Sequence, residues 1–154
     1  MASEFRLVRR VEFYETDMAG IVHFSNFFRF MEMCEHAFIR SIGTNVHPGE
    51  GEPGAVIGWP RVHAECDYRR PLRYDEEFET HLLVREKKER ALHFDFRFWK
   101  INETADQPLA RGKLVVVPVG RIAGEVKAIP IPPLFATHIQ VASPELLNQY
   151  PEKK

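Results

Sequence analysis

One stretch of helical periodicity, followed by nothing but strand periodicity, is the feature that most narrows how this chain folds. From about Phe24 to Ile42 the apolar residues Phe27, Met31, Cys34, Phe38 and Ile42 recur at three- and four-residue spacing. Arg29, Glu32, Glu35, His36 and Arg40 fall largely between them, and Gly43 stands where a helix would end. Four strand patterns follow: Val56 to Tyr68, Phe78 to Val84, Leu92 to Phe98 and Lys113 to Val119. Their connections, Arg70 to Glu76, Glu86 to Arg90 and Asn102 to Gln107, are too short for parallel crossovers and predict antiparallel hairpins. An earlier alternation, Phe5 to Tyr14, has Phe5, Leu7, Val11 and Phe13 on one side, interrupted by Arg9, and predicts a strand before the helix. The expected architecture is α+β, a curved antiparallel sheet of about five strands wrapped around one long central helix. Residues 1–154 are read as one domain, with Thr44 to Gly54 as a crossover loop rich in glycine and proline. The run Ala128 to Pro133 is expected to be extended, and the tail from about residue 137 to be a short helix or frayed. Such a sheet covers its helix on one side only, so the remaining surface calls for a second copy of the chain.

Composition removes several classes. With 44% apolar and 28% charged residues the chain has the mix of a globular core, and twelve phenylalanines suggest a core shared with an apolar ligand or a second subunit. The formal charge of −1, from 21 basic and 22 acidic residues, gives no general attraction to nucleic acid or to an anionic membrane. No apolar run approaches the ~20 residues that span a bilayer, and Met1 to Arg6 lack the apolar core of a signal peptide, so the expected location is the cytoplasm. Cys34 and Cys66 each sit in an apolar pattern outside any C-x-x-C pair and read as buried free thiols.

The segment most suggestive of chemistry is Tyr14-Glu15-Thr16-Asp17-Met18-Ala19-Gly20-Ile21-Val22-His23-Phe24-Ser25-Asn26. It places a carboxylate in a glycine-containing bend just before the helix, whose start exposes unpaired N–H groups able to hold an oxygen that turns negative. An aspartate before a helix is more commonly a turn or capping residue. His63-Ala64-Glu65-Cys66 contains the H-x-E of zinc deaminases without the P-C-x-x-C that supplies their thiolates. H-E-x-x-H, G-x-S-x-G, a dinucleotide fingerprint and a P-loop are all missing from the sequence, and neither metal nor cofactor is expected.

The element order and the run Thr16-Asp17, Ala19-Gly20-Ile21-Val22, Phe24 and Asn26, with Ile129-Pro130-Ile131-Pro132 near the last strand, resemble the hot-dog-fold acyl-CoA thioesterases. The resemblance is to the 4-hydroxybenzoyl-CoA thioesterase and YbgC-like branch and covers nearly the whole chain. It implies hydrolysis of an aryl or medium-chain acyl-CoA to a free acid and coenzyme A, with coenzyme A part of the substrate. The matching position makes Asp17 the catalytic carboxylate, acting as general base or nucleophile, and makes the Phe24 backbone N–H the carbonyl donor. The chain departs from relatives at His23, where an aromatic is frequent, and at Phe24, where several branches carry Tyr or His. Gly20, Val22, His23, Phe27 and Trp59 are the candidate substrate contacts beside Phe24, with Phe28 as a further aromatic wall. Arg69, Arg70 and Arg73, and Lys87 and Lys88 with Arg90, form two basic groups suited to the phosphates of coenzyme A. Glu32 and Glu35 offer a second carboxylate source, since another hot-dog branch uses a helical glutamate, although a solvated or interface face is their simpler role. The resemblance also implies a homodimer or a dimer of dimers with sites between subunits. Two alternatives stay open: a non-catalytic acyl-CoA- or partner-binding module, and a hydroxyacyl-thioester dehydratase, while a carrier-protein thioester is an alternative substrate.

Overall fold

Helix α1, Asn26–Ser41, lies in the concave face of a five-stranded antiparallel sheet in a computed structural model that describes residues 1–48 and 55–152. The strands are β1 (Glu4–Arg10), β2 (Arg61–Tyr68), β3 (Glu77–Lys87), β4 (Leu92–Lys100) and β5 (Ala110–Val116), in the order β1-β3-β4-β5-β2. The helix buries Phe27, Phe30, Met31, Cys34, Phe38 and Ile39, and β4 answers with Phe94, Phe96 and Phe98. Register makes the fit. Phe96 stands opposite Gly112, and Gly112 opposite Cys66; a Cβ on Gly112 would fall 2.2 Å from Met31 Sδ. The glycine therefore lets the helix seat against the sheet at that row. Gly43, with φ +93°, ends the helix as expected.

Several expectations are corrected. The first strand stops at Arg10, because its partner β3 begins opposite it at Glu77; the chain turns instead through a 3₁₀ segment, Phe13–Glu15, leaving Phe13 and Tyr14 exposed. The connection between β2 and β3 is not a hairpin. β2 pairs with β5 at the far edge, so residues 69–76 run across the end of the sheet to reach β3 beside β1. Of the expected strand from Val56, residues 56–60 hold only the isolated bridge of Gly58 to Val119 before β2 begins at Arg61, and β5 stops at Val116, just before Pro118. A second hairpin, β6 (Val119–Ile122) with β7 (Glu125–Ala128), turns through Ala123 and Gly124 at positive φ. The proline-rich run leads into helix α2, Pro133–His138, whose proline at the first turn is suited to a helix start. The tail holds a short helix α3, Pro144–Leu147, capped by the Ser143 side chain. Of the expected crossover loop, Gly49, Gly51, Pro53 and Gly54 lie outside the described residues. Cys34 and Cys66 are free thiols, Cys66 half-buried rather than buried, and burial pushes both up to about 12.

Candidate active site

The Asp17 segment folds as a miniature hairpin. Thr16 bridges Val22, the Asp17 amide donates to Ile21 O at 2.9 Å, and the Gly20 amide returns to Asp17 O at 3.0 Å. Gly20 closes this turn at φ +79°, a conformation that favours glycine. The carboxylate accepts one hydrogen bond among the described residues, from the Ala19 amide to Oδ1 at 2.9 Å. That is the bond of a turn aspartate, and it also fixes the direction in which the other oxygen is presented.

Glu15 ties this hairpin to the helix. Its carboxylate, in a residue only 2% exposed, takes both Arg9 Nη1 and Nη2 at 2.9 Å and the Glu12 amide at 2.8 Å. Its carbonyl accepts the His23 amide at 2.9 Å and Asn26 Nδ2 at 2.8 Å. Arg9, the charged residue that interrupts the first apolar alternation, lies over the Phe30 ring at 4.8 Å. Arg9, Glu15 and Asn26 thus position the site without having been singled out for that part by sequence reasoning. The signals they gave were a cation on an otherwise apolar strand side, for Arg9, and a place in the motif before the helix, for Asn26.

At the start of α1 the amides of Asn26, Phe27 and Phe28 donate to the carbonyls of His23, Phe24 and Ser25, and the Ser25 amide donates to His23 Nδ1. The Phe24 N–H is left with no acceptor among the described residues. Its peptide carbonyl, on His23, accepts the Asn26 amide, which polarises the Phe24 N–H as a donor. Tyr68 Oη donates to Phe24 O at 2.9 Å; burial, with Cys66 beside it, raises the Tyr68 phenol well above its ordinary value, so it stays a donor.

Asp17 and Phe24 line one cleft of about 420 Å³, with Val22, Phe27, Tyr68 and Leu72 among its walls. The crossing segment 69–76 closes it: Val22 N donates to Leu72 O at 2.7 Å, and Ile21 bridges Arg73. Phe27 is buried edge-on against Tyr68 at 5.2 Å, giving an aromatic floor, while the Phe24 ring sits exposed at the rim with His23 stacked 4.6 Å away. Arg69 and Arg70 also line the cleft. Arg70 is engaged by Gln107 O and Glu103, and Arg73 contributes its backbone while its side chain is exposed.

Other candidates lie elsewhere. Trp59 packs on Phe135 at 5.0 Å, beside Glu35, Ile39 and Phe94, and does not line the Asp17 cleft. Lys87 holds the end of α2 through Ala136 O and Ile139 O at 2.8 and 2.7 Å, and Lys88 pairs with Glu86. Both sit at the opposite end of β3 from Phe78, about 30 Å along the strand, so within one protomer they do not reach this cleft. Phe28 faces a separate hollow with Met31, Arg61 and Leu114. Glu35 is not on a solvated face. It is 2% exposed and gripped by Arg61 at 2.7 and 3.1 Å; burial raises its carboxyl, opposed by Arg61. Among the described residues no group of three or more His, Cys, Asp or Glu is placed to hold a metal ion, and no helix is long and apolar enough to cross a membrane.

A five-stranded antiparallel sheet curled around one long helix is the architecture of the hot-dog class of α+β proteins. The chain belongs to the thioesterase-like superfamily, whose family model matches residues 11–140. It is similar to a crystal structure of a hypothetical protein from Aquifex aeolicus, with 32% identity, a TM-score of 0.64, and coverage of 75% of this chain and 88% of that one. A 1,4-dihydroxy-2-naphthoyl-CoA hydrolase of Gloeothece citriformis is 30% identical over 92 residues, 60% of this chain and 63% of the relative, so just under two thirds of that relative is spanned. The crystal structure of a 1,4-dihydroxy-2-naphthoyl-CoA thioesterase from Synechocystis shares the fold, with a TM-score of 0.75 at 21% identity over 87% of this chain and 93% of that one.

Proposed function

We propose that this protein hydrolyses an acyl-CoA thioester whose acyl group carries an aromatic ring. The observation that carries the reading is the unpaired Phe24 N–H on the same cleft as the Asp17 carboxylate. The thioester carbonyl oxygen docks on that amide, and the α1 dipole adds to the stabilisation of the tetrahedral oxyanion. Asp17 either takes a proton from the attacking water or attacks the carbonyl itself, forming a mixed anhydride that water then opens. In both routes the C–S bond breaks and coenzyme A leaves as the thiol. Phe27 and Tyr68 present ring surface to an aryl group, and the naphthoyl-CoA relative favours this class. Arg69, on the rim, is placed for the pantetheine or phosphate end.

The working unit is a homo-oligomer. Strand β2 is an edge strand of 8 residues exposed on both faces, with Val62 and Tyr68 among its open side chains, and such an edge is a template for pairing with a second copy. Thiol release from a panel of aryl- and alkyl-CoA thioesters, wild type beside Asp17→Asn, tests the chemistry, and sedimentation of the same samples tests the assembly. Turnover of an aryl-CoA that falls roughly 10²-fold or more in the folded variant supports the assignment. No turnover of any thioester, or undiminished activity in the variant, overturns it.

A further inference from the structure

The convex face of the sheet, away from the helix and the Asp17 cleft, carries a row of cations in register. Arg6 stands opposite His81, His81 opposite Arg97, and Arg97 opposite Arg111. Like charges directly opposite on neighbouring strands repel. Arg6 and His81 have their own carboxylates, Glu79 and Glu4. Arg97 and Arg111 are in no such ion pair among the described residues, although Asp67 stands at the end of their row. Asp95 beside them is occupied by Arg85, Arg111 Nη2 donates to the neutral Gln107 side chain, and Asp67, opposite Arg111 at the outer edge, is exposed.

The C-terminal segment covers this pair. Arg97, 3% exposed, caps α3 by donating from Nη2 to Leu146 O and Leu147 O at 2.8 and 3.0 Å, and lies 5.2 Å from the Tyr150 ring. Its Nη1 and the Nε of Arg111 are buried with no acceptor among the described residues. A cavity of about 320 Å³ opens between sheet and tail, lined by Arg85, Arg97, Arg111 and Lys113 against Asp95 and Glu152. Burial, and then the neighbouring Arg111, holds the Arg97 guanidinium below its ordinary value, against the opposing pull of Asp95.

We infer that this cavity is a second binding site, for a phosphate-type oxyanion that bridges Arg97 and Arg111. A tetrahedral oxyanion fits two guanidinium forks by charge and geometry, and the cavity is lined by both of them with Arg85 and Lys113. Glu152, at the margin, acts as the competing carboxylate. Bound phosphate therefore ties α3 and the tail to the sheet at a place unconnected with thioester chemistry.

Calorimetric titration with inorganic phosphate at constant ionic strength tests this on the full chain. The expected result is one phosphate per protomer, weakened at least tenfold in Arg111→Met and tightened several-fold in Glu152→Gln, with circular dichroism unchanged in both. Arg111→Met serves as the main variant because Arg97 also caps α3. Adenosine 3′,5′-bisphosphate, run in parallel, separates the sources: tighter binding than phosphate with the same Arg111 dependence assigns the site to a nucleotide phosphate, and equal or weaker binding assigns it to the free ion. Absence of binding, or binding that Arg111→Met leaves unchanged, overturns the proposal.

Discussion

Replacing Arg9 by Met should separate the positioning of the site from its chemistry. Arg9 forms a two-pronged pair with a Glu15 carboxylate whose side chain is 3% exposed, the Arg9 side chain itself being 19% exposed. Removing one partner of a buried pair leaves a charge without compensation and costs about 3–5 kcal/mol, and the partial exposure of Arg9 places this case near the lower figure. For a chain of this length ~3 kcal/mol corresponds to a fall in Tm of about 6–12 °C. Methionine keeps an apolar stem against Phe30, so the loss is mostly that of the ion pair.

The same change should depress kcat. Glu15 O holds His23 N and Asn26 Nδ2, so a shift of Glu15 moves Asp17 relative to the Phe24 amide, and a displacement of about 1 Å can cost on the order of 10²-fold. Thermal and urea unfolding, with thiol release below the new transition, measure both effects. The double variant Arg9→Met/Glu15→Gln keeps an acceptor for the Glu12 amide while removing the stranded charge, and should regain at least ~1 kcal/mol over Arg9→Met alone. A cost below ~1 kcal/mol for Arg9→Met, or strictly additive single effects, refutes the reasoning.

Two further outcomes follow from packing and titration. Gly112→Ala drives a methyl into Met31 Sδ and should cost about 1–3 kcal/mol, partly recovered by Met31→Ala; an unchanged urea midpoint would show that the helix can lift without penalty. His81 is 1% exposed, and burial, then Arg6, lowers its pKa despite Glu4 at 3.1 Å, because Glu4 is partly open to solvent. A histidine depressed in the fold binds its proton more readily when unfolded, so its neutral-state stability is present above about pH 6.5 and is lost as pH falls below it. The loss between about pH 7.5 and about pH 5.5 should shrink in His81→Gln, with His36, also lowered by burial, supplying part of what remains; an identical loss in the variant rules His81 out.

Periodicity made α1 and the inward faces of β3 and β4 readable, because Phe94, Phe96 and Phe98 alternate and the helix keeps its spacing. Strand order was not readable. Loop length says that β2 and β3 run antiparallel, but not that β2 joins β5 across the sheet, which depends on pairing between distant segments. The Asp17 turn was legible from Asp17 and Gly20 because turn chemistry is local. Glu15 and Tyr68 were not, since their parts depend on contacts with Arg9 and Phe24 that only the assembled fold creates. Trp59 and Lys87 looked like site residues by type, yet packing on Phe135 and capping of α2 use them at other places.

The strand order that sequence did not disclose is also what builds the cleft. With β2 beside β3, the connection between them would be a tight turn, and the start of α1 would stand open. Because β2 lies at the opposite edge, residues 69–76 must cross beneath the helix start, and there Leu72 O takes the Val22 amide and Arg73 bridges Ile21. Leu72 becomes fully buried while Phe13, Tyr14, Met18, Phe24 and Tyr74 remain exposed nearby. One wall of the cleft is thus made by topology, and the opposite side is an apolar rim facing solvent. That much uncovered apolar surface around a carboxylate is costly for an isolated protomer. A bound aryl group and a second copy of the chain would each remove part of it from water, so substrate binding and assembly draw on the same surface.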